Sequence, residues 1–341
     1  MGADQASEDS EGADQASEDS AGADPAATDS EGTDPKGTDP EGTDSGSASP
    51  AGTGSPGTAA KGTAVRGTDL VAGIGDVTPE GAVALAAIAG DPGRALIALD
   101  FDGTLAPIVS EPSAARPHPD VLPALQRLAT GVGTLAIITG RPAPVAVELG
   151  GFAGIPGLIV IGHHGFDRWE GGKLTSPQPP PEVATARALL PDALAAAGAP
   201  AGTWVEDKGH ALVVHVRRAA DPQAALALLT GPMAVFAAET GLDSKPGRLV
   251  IELRPPGVNK GTALAGLIAE RDPAAVLFAG DDLGDLPAFE AVRAARAAGR
   301  EGVAVCSASD EVSALAAHAD LVLDGPKEVA ALLAALAEAL P

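Results

Sequence analysis

Apolar runs of strand length alternate with helical stretches from about Thr78 to the end of the 341-residue chain. The predicted strands are continuous apolar segments at 94–101, 134–139, 157–162, 249–253, 274–280, 302–306 and 320–324. The predicted helices follow a first helix capped by Thr78 and lie at 119–129, 142–151, 260–271, 286–298, 310–319 and 327–340. This alternation predicts an α/β fold with a doubly wound, Rossmann-like parallel sheet covered on both faces.

A different pattern interrupts the alternation between about residues 171 and 245. The segment 166–176 predicts a hairpin that turns at Gly171-Gly172. The patterns after it predict a helix at 181–198, strands near 203–207 and 211–217, a helix near 221–230 and a strand near 233–238. Strand pairs and helices in so short a segment indicate an α+β cap domain, 171–245, inserted into a core that comprises 67–170 and 246–341.

The first 66 residues are a decaying ten-residue repeat that begins MGADQASEDS and EGADQASEDS. Large apolar side chains are almost absent from it, so it cannot bury enough surface to offset the entropy of folding. We therefore predict a disordered acidic tail over 1–66. Residues 1–50 hold 14 acidic side chains against one Lys and account for about half of the net charge of -24.

The acidic composition disfavours several classes of partner and compartment. Nucleic acids and anionic membranes attract basic surfaces, so neither is an expected partner. Cys306 is the only cysteine, which excludes an intrachain disulfide and a thiolate metal site. The amino terminus has no signal-peptide pattern, and no apolar stretch approaches the ~20 residues that span a bilayer. We expect a cytoplasmic, monomeric protein.

Two carboxylates follow the first predicted strand, in Asp100-Phe101-Asp102-Gly103-Thr104. Open α/β sheets bind their ligands at the carboxyl ends of the strands. Gly103 allows the chain to turn there, so both carboxylates can stay at that edge of the sheet. A solvated aspartate pair at a strand end has the same pattern, so this element alone leaves both interpretations open.

Two further elements carry a hydroxyl and a cation. Thr139 ends the second predicted strand and precedes Gly140-Arg141; on its own it could simply cap a helix. Lys260 begins a predicted helix, where its charge opposes the helix dipole. Its position therefore favours a nearby anion, although an exposed lysine is equally compatible with it.

A fourth element, Asp281, Asp282 and Asp285, follows the strand at 274–280. Three carboxylates within five residues repel one another unless a cation lies among them. Mg²⁺ prefers oxygen ligands and few protein carboxylates. The segment predicts a magnesium site, with an acidic loop as the simpler alternative.

The four elements together, in this order and each at a strand end or a helix start, resemble the haloacid dehalogenase superfamily of phosphotransferases. The resemblance covers roughly 92–341. It implies that the insertion between Thr139 and Lys260 is the cap found in members with a larger α/β cap.

The resemblance also implies roles for these residues. Asp100 would be the nucleophile, and Asp102 would act first as the general acid and then as the base. Thr139 and Lys260 would each contact a phosphoryl oxygen, since phosphoryl transfer depends on positioning and charge neutralisation. Mg²⁺ would be held by Asp100, the Asp102 carbonyl and Asp281, supported by Asp282 and Asp285.

The predicted cap and its borders resemble trehalose-6-phosphate phosphatases in particular. The similar segments are the G-x-H-G turn at 162–165, the E-x-K and H-x-R patterns at 206–208 and 215–217, and the E-x-R-P approach to Lys260. A sugar-phosphate substrate is thereby implied, bound by Arg141, His164, Glu206, Lys208, His215, Arg217 and Glu252. Glu206 and Lys208 could also pair with each other at the surface, and His215 and Arg217 could be structural.

The chain departs from this family where Gly284 and Leu286 replace the common Thr and Glu around the last aspartate. Alternatives remain open at this level: a capped phosphatase or mutase that acts on another sugar phosphate, or a non-catalytic binding module.

Overall fold

The computed structural model of the chain describes residues 65–308 and 313–341. The predicted disordered tail, except for residues 65 and 66, and residues 310–312 of the predicted helix 310–319 lie outside the described residues. Among the helices that the structure describes, none is both long and apolar enough to cross a membrane.

The described residues form twelve β-strands in two sheets. In chain order they are β1 Ala95–Leu99, β2 Thr134–Ile138, β3 Ile159–Gly162, β4 Asp167–Glu170, β5 Lys173–Thr175, β6 Trp204–Asp207, β7 Leu212–His215, β8 Asp243–Gly247, β9 Val250–Arg254, β10 Ala275–Gly280, β11 Glu301–Ser307 and β12 Leu321–Leu323.

The same part of the chain forms ten α-helices, of which the first and the ninth are single turns. They are α1 Gly67–Leu70, α2 Pro79–Gly90, α3 Val121–Leu128, α4 Ala143–Gly150, α5 Pro181–Ala196, α6 Pro222–Thr240, α7 Lys260–Arg271, α8 Leu286–Ala297, α9 Ser313–Ala316 and α10 Gly325–Glu338. As predicted, the Thr78 hydroxyl caps α2, where it accepts a hydrogen bond from the Gly81 N–H.

The larger sheet has the order β12-β11-β10-β1-β2-β3-β4-β5, and its first six strands are parallel. Alternate side chains of β1 enter different cores. Ile97 and Leu99 pack with α2, α3 and α10, whereas Leu96 and Ala98 pack with α7 and α8. This two-sided burial explains the uninterrupted apolar runs and confirms the predicted doubly wound α/β fold.

The centre of this sheet is a topological switch point. From β1 the chain continues to β2 and β3 on one side, and from β10 it continues to β11 and β12 on the other. Connections that leave two neighbouring strands in opposite directions open a crevice at their carboxyl ends, where α/β proteins bind ligands.

The smaller sheet is antiparallel, with the order β6-β7-β9-β8. Helices α5 and α6 cover one of its faces and bury Leu212, Val214 and Ile251. Placing the segment 249–253 among the parallel strands was wrong, because β9 pairs with β7 and β8. Its alternating burial, with Ile251 and Leu253 buried and the residues on either side of each half-buried, is typical of a sheet with one open face.

The predicted domain limit at 171 falls in the turn between β4 and β5, and the limit at 245 falls within β8. The hairpin at Gly171-Gly172 forms as predicted, but its strands β4 and β5 extend the larger sheet beyond β3. At the other limit, β8 and β9 both belong to the smaller sheet. The chain thus leaves the larger sheet after residue 175 and leaves the smaller sheet after residue 254. The division into two domains stays a prediction.

The predicted strand at 233–238 is also wrong, because α6 continues through it to Thr240. Gly231-Pro232 resembles a helix terminator, yet it only interrupts the hydrogen-bond ladder locally. Leu229, Met233 and Phe236 are buried at helical spacing in the same core. Burial of this apolar face outweighs the local cost of the proline.

We predict that Pro232→Ala stabilises the protein. Pro232 is exposed in the interior of α6, and alanine would restore the missing N–H and remove the clash with the preceding turn. The free energy of unfolding should rise by about 1–3 kcal/mol, as measured by denaturant unfolding. Pro222→Ala at the first position of the same helix is the control and should give no such gain, because proline is tolerated there. Equal gains would contradict this explanation.

Candidate active site

Asp100 and Asp281 directly follow β1 and β10, the two strands at the switch point. The Asp100 N–H donates to the Ala279 carbonyl at 2.8 Å, so the pairing of the strands extends to the aspartate. Both residues are 4% exposed. The register of two neighbouring parallel strands therefore brings these carboxylates together, although 181 positions separate them in the sequence.

A buried cluster forms where Asp285 joins this pair. One carboxylate oxygen from each of Asp100, Asp281 and Asp285 lies within 4.8 Å of the others. Burial, the largest cause, raises the pKa of Asp100 well above its ordinary value, and the neighbouring carboxylates add to this. Burial and the charges of Asp285 and Asp282 raise the pKa of Asp281 to about 7. The cluster therefore favours an added cation.

Lys260 supplies one positive charge to the cluster. Its Nζ lies 2.9 Å from Asp100 Oδ1 and 2.7 Å from Asp285 Oδ1. Burial acts to lower the pKa of Lys260, but Asp100 and Asp285 outweigh it and raise this pKa. Asn259 caps α7 in a reciprocal capping box with Thr262. The cap fixes the helix start at Lys260, and the buried carboxylates offset the unfavourable interaction with the helix dipole.

Asp285 organises the loop after β10. One of its carboxylate oxygens accepts from Lys260, and the other accepts from the N–H groups of Asp281 and Asp282 at 3.0 and 3.2 Å. Asp282 itself is exposed, and its Oδ1 accepts from the Gly284 N–H at 2.8 Å. These two side chains are thus engaged in shaping the loop, whereas the carboxylates of Asp100 and Asp281 face each other.

The donor set fits a divalent cation with a preference for oxygen. Three buried carboxylates face one ammonium group, which leaves an excess of negative charge at the carboxyl edge of the sheet. Hard carboxylate donors of this kind suit Mg²⁺. Asp100 and Asp281 would hold the ion, and Asp285 would support them through its hydrogen bonds.

Asp102 and Arg141 form a bidentate ion pair next to this cluster. Arg141 Nε donates to Asp102 Oδ2, and a terminal nitrogen donates to Oδ1, both at 2.6 Å. The other terminal nitrogen of Arg141 donates to the Pro112 carbonyl at 2.9 Å. The guanidinium therefore links the loop after β1 to the loop after β2.

Thr139 and His164 lie at the ends of β2 and β3. Thr139 is buried, and its Oγ1 accepts from the Arg141 N–H at 3.2 Å. His164 has a left-handed backbone with φ of 60°, and its N–H donates to the Thr139 carbonyl at 2.9 Å. Its ring packs against Gly140, where a Cβ would come within 2.7 Å of the imidazole. The two loops thus form one wall of the crevice.

Glu252 connects this wall to the smaller sheet. Its carboxylate lies 3.8 Å from His164 Nε2, 3.3 Å from Lys208 Nζ and 3.2 Å from an Arg254 nitrogen. Burial acts to raise the pKa of Glu252, but its neighbours His164, Lys208 and Arg254 outweigh it and lower this pKa. Burial lowers the pKa of His164 to about 3. At neutral pH, therefore, the two cations that stabilise the Glu252 carboxylate are Lys208 and Arg254.

Three other predicted cap residues, Glu206, His215 and Arg217, make their contacts outside the group around Glu252. Glu206 Oε2 lies 2.9 Å from His215 Nε2, and neither residue pairs with Lys208 in the described structure. The alternative in which Glu206 pairs with Lys208 at the surface is therefore not seen. Arg217 is exposed and donates to the Arg248 carbonyl at 3.4 Å.

The predicted substrate-binding residues do not include Arg254, although it lies in the E-x-R-P segment. Its buried Nε has no hydrogen-bond partner among the described residues. The signal was present, because Glu252 and Arg254 are two apart on one strand and so share a face.

A family model described as trehalose-phosphatase matches residues 98–327, which include every residue of this site. The chain belongs to the trehalose-phosphatase family. It is 32% identical to the trehalose-phosphate phosphatase of Mycobacterium marinum over 264 residues, which cover 72% of this chain and 62% of that protein. It is also 32% identical to a probable trehalose-phosphate phosphatase of Sinorhizobium fredii over 212 residues, covering 61% of this chain and 77% of that protein.

The chain thus spans less than two thirds of the length of the mycobacterial relative. Among solved structures, it is similar to the trehalose-6-phosphate phosphatase of Aspergillus fumigatus, with a TM-score of 0.59 and 24% identity over 77% of this chain and 98% of that one. This likeness shows that the fold is shared.

Gly103 allows the turn after Asp100 to approach the loop after β10. Its backbone has φ of +73°, and a Cβ there would lie 1.9 Å from Asp281 Oδ2. Ser307, at the end of β11, donates its hydroxyl to the Gly103 carbonyl at 2.7 Å and holds the turn in place. The turn is therefore fixed in close contact with the buried carboxylates.

We predict that Gly103→Ala lowers phosphatase activity by at least about 100-fold, because a displacement of about 1 Å at the reacting groups has an effect of this size. Gly172→Ala is the matched control, since Gly172 has a similar φ of +80° but no atom within 4 Å of a Cβ. Gly172→Ala therefore introduces backbone strain without a steric clash, and this variant should keep its activity. Equal losses of activity in the two variants would show that contact with Asp281 is not the cause.

Proposed function

We propose that this protein hydrolyses trehalose 6-phosphate to trehalose and inorganic phosphate, in a Mg²⁺-dependent reaction through an aspartyl-phosphate on Asp100. The observation that carries the proposal is the buried Asp100 carboxylate at the switch point, ion-paired with Lys260 and facing Asp281. Family membership supplies the substrate class.

In the first step, a carboxylate oxygen of Asp100 attacks phosphorus, and the bond from phosphorus to the sugar oxygen breaks. The departing oxygen takes a proton from Asp102. In the second step, water attacks phosphorus of the aspartyl-phosphate and loses a proton to Asp102. The bond from phosphorus to the Asp100 oxygen breaks, so the Asp100 carboxylate is regenerated and phosphate is released. Splitting the displacement in two is the advantage of a covalent nucleophile.

The cationic and hydroxyl groups around Asp100 would bind the phosphoryl group. Lys260 neutralises charge on its oxygens, and Thr139 donates a hydrogen bond to one of them. Mg²⁺, when bound, would neutralise further charge on the phosphoryl oxygens. Asp100, Asp281 and the Asp102 carbonyl would hold the ion, with Asp282 and Asp285 maintaining the loop.

Asp102 needs to be released from Arg141 before it can transfer a proton. Both of its oxygens accept hydrogen bonds from the guanidinium, so neither oxygen is free to contact the sugar oxygen of a substrate. A phosphate group competes well for a guanidinium. We infer that the substrate draws Arg141 towards its phosphate and leaves Asp102 free to act as the general acid.

The uncharged part of the substrate would bind to the smaller sheet. Glu206, Lys208 and Glu252 offer acceptors and a donor that suit the many hydroxyls of a disaccharide, and His164 offers a neutral imidazole at the border. The contact between Glu252 and His164 supports this placement, because it brings the open face of the sheet to the crevice.

The substrate is tested by assaying phosphate release from a panel of sugar phosphates with Mg²⁺. We expect kcat/KM for trehalose 6-phosphate to exceed that for glucose 6-phosphate by at least about ten-fold, since each lost hydrogen bond to the second ring costs about 1 kcal/mol. Excess chelator should abolish release, and added Mg²⁺ should restore it. A preference for another sugar phosphate, or phosphate retained on an isomeric sugar, would contradict the proposal.

The mechanism predicts different losses at Asp100 and Asp102. Asp100→Asn should lose nearly all activity, because an amide cannot replace the carboxylate nucleophile. The activity of Asp102→Asn on trehalose 6-phosphate should fall by about 10²–10⁴-fold. The rate of its first step with an aryl phosphate should fall much less, because that leaving group scarcely needs an acid.

Acid-quench labelling with a radioactive substrate checks both variants. Phosphoenzyme should accumulate in Asp102→Asn, because the attacking water has no general base to take its proton. No label should appear in Asp100→Asn. Label on Asp100→Asn would place the nucleophile elsewhere.

A further inference from the structure

The open face of the smaller sheet carries a polar cluster that includes Trp204, Glu206 and His215. Trp204 is opposite His215 in the register of β6 and β7, and Val213 is opposite both Glu206 and Glu252. Side chains alternate between the two faces of a strand. These residues therefore lie on the face away from α5 and α6, and this is the face from which Glu252 reaches His164.

Glu206 depends on His215 for its orientation. His215 Nε2 lies 2.9 Å from Glu206 Oε2, and the described residues give this carboxylate no other hydrogen-bond partner. The Glu206 side chain is 44% exposed, whereas that of His215 is 15% exposed. The carboxylate is thus accessible to a ligand, while the group that holds it is mostly covered.

His215 is itself held by Trp204. Their rings stack with centroids 3.8 Å apart and an angle of 4° between the planes. The guanidinium of Arg218 lies over the Trp204 ring, 5.3 Å from its centroid. Aromatic and cation–π contacts of this kind restrict the rotation of the imidazole. His215 thus forms a hydrogen bond with Glu206 through Nε2 and stacks on Trp204 through one face of its ring.

We propose that His215, fixed by Trp204, is a positioning residue that holds Glu206 ready to accept hydrogen bonds from the sugar hydroxyls of the substrate. This inference rests on the proposed function, and it replaces the expectation that His215 binds the sugar itself. β6 is an edge strand, so a glutamate there would otherwise sample several rotamers. Immobilising such a side chain on binding weakens affinity by about two- to ten-fold.

The test compares two substitutions that separate the hydrogen bond from the stacking. His215→Phe keeps a ring next to Trp204 but has no donor, whereas His215→Gln can place an amide N–H near the position of Nε2. His318→Phe is the matched control, because His318 is an exposed histidine outside the site. Each variant is assayed with trehalose 6-phosphate and with p-nitrophenyl phosphate, which has no sugar for Glu206 to bind.

We expect His215→Phe to raise KM for trehalose 6-phosphate about ten-fold with little change in kcat, because Glu206 binds a part of the substrate remote from the phosphate. Activity on p-nitrophenyl phosphate should be unchanged, which shows that the variant is folded. His215→Gln should lie closer to wild type. Combining His215→Phe with Glu206→Gln should raise KM no further than Glu206→Gln alone, since both remove the same interaction.

The inference is wrong if His215→Phe behaves like His318→Phe, if its KM effect adds to that of Glu206→Gln, or if glutamine is as defective as phenylalanine. These outcomes require a wild-type protein that hydrolyses trehalose 6-phosphate. If wild type releases phosphate from p-nitrophenyl phosphate but not from trehalose 6-phosphate, the proposed function itself is wrong, and the positioning role is wrong with it.

Discussion

The ion pair of Lys260 with Asp100 and Asp285 is the interaction on which the site depends. Its ammonium is buried, as are the carboxylates, and a buried charge without a partner is strongly destabilising. The other carboxylate oxygen of Asp285 accepts hydrogen bonds from the N–H groups of Asp281 and Asp282. One cation therefore fixes the start of α7, Asp100 and the loop after β10 relative to one another, and the three carboxylates still outnumber the ammonium group.

The smaller sheet complements this cluster with an apolar interior and a polar open face. Its helices bury residues such as Val214 and Ile251, so the alternate positions of the same strands lie on the open face of the sheet. Glu252 and Arg254 are two such positions. Glu252 meets His164 at the crevice, and Arg254 pairs with Glu252. Desolvation lowers the pKa of the half-buried His164 to about 3, so at neutral pH the local charge comes from Glu252 and the cations around it.

Much of the larger sheet and its edge could be predicted from the chain alone. Continuous apolar runs indicate strands covered on both faces, and polar residues at their carboxyl ends meet at one edge, as Asp100 and Asp281 do. Prediction failed where local patterns were ambiguous. Gly231-Pro232 resembled a helix end, and the apolar run of 249–253 concealed the alternation that belongs to an antiparallel strand with one open face.

The sequence by itself determined the α/β class and the identity of the groups at the strand ends, because periodicity and spacing are local properties, and its motifs resemble those of a phosphatase family. Only the tertiary structure decided which groups share a hydrogen bond. The pairing of Asp102 with Arg141, and of Glu206 with His215 rather than Lys208, depends on which side chains of separate strands and loops come within about 3 Å of each other. That distance follows from register and packing, which one-dimensional patterns do not contain.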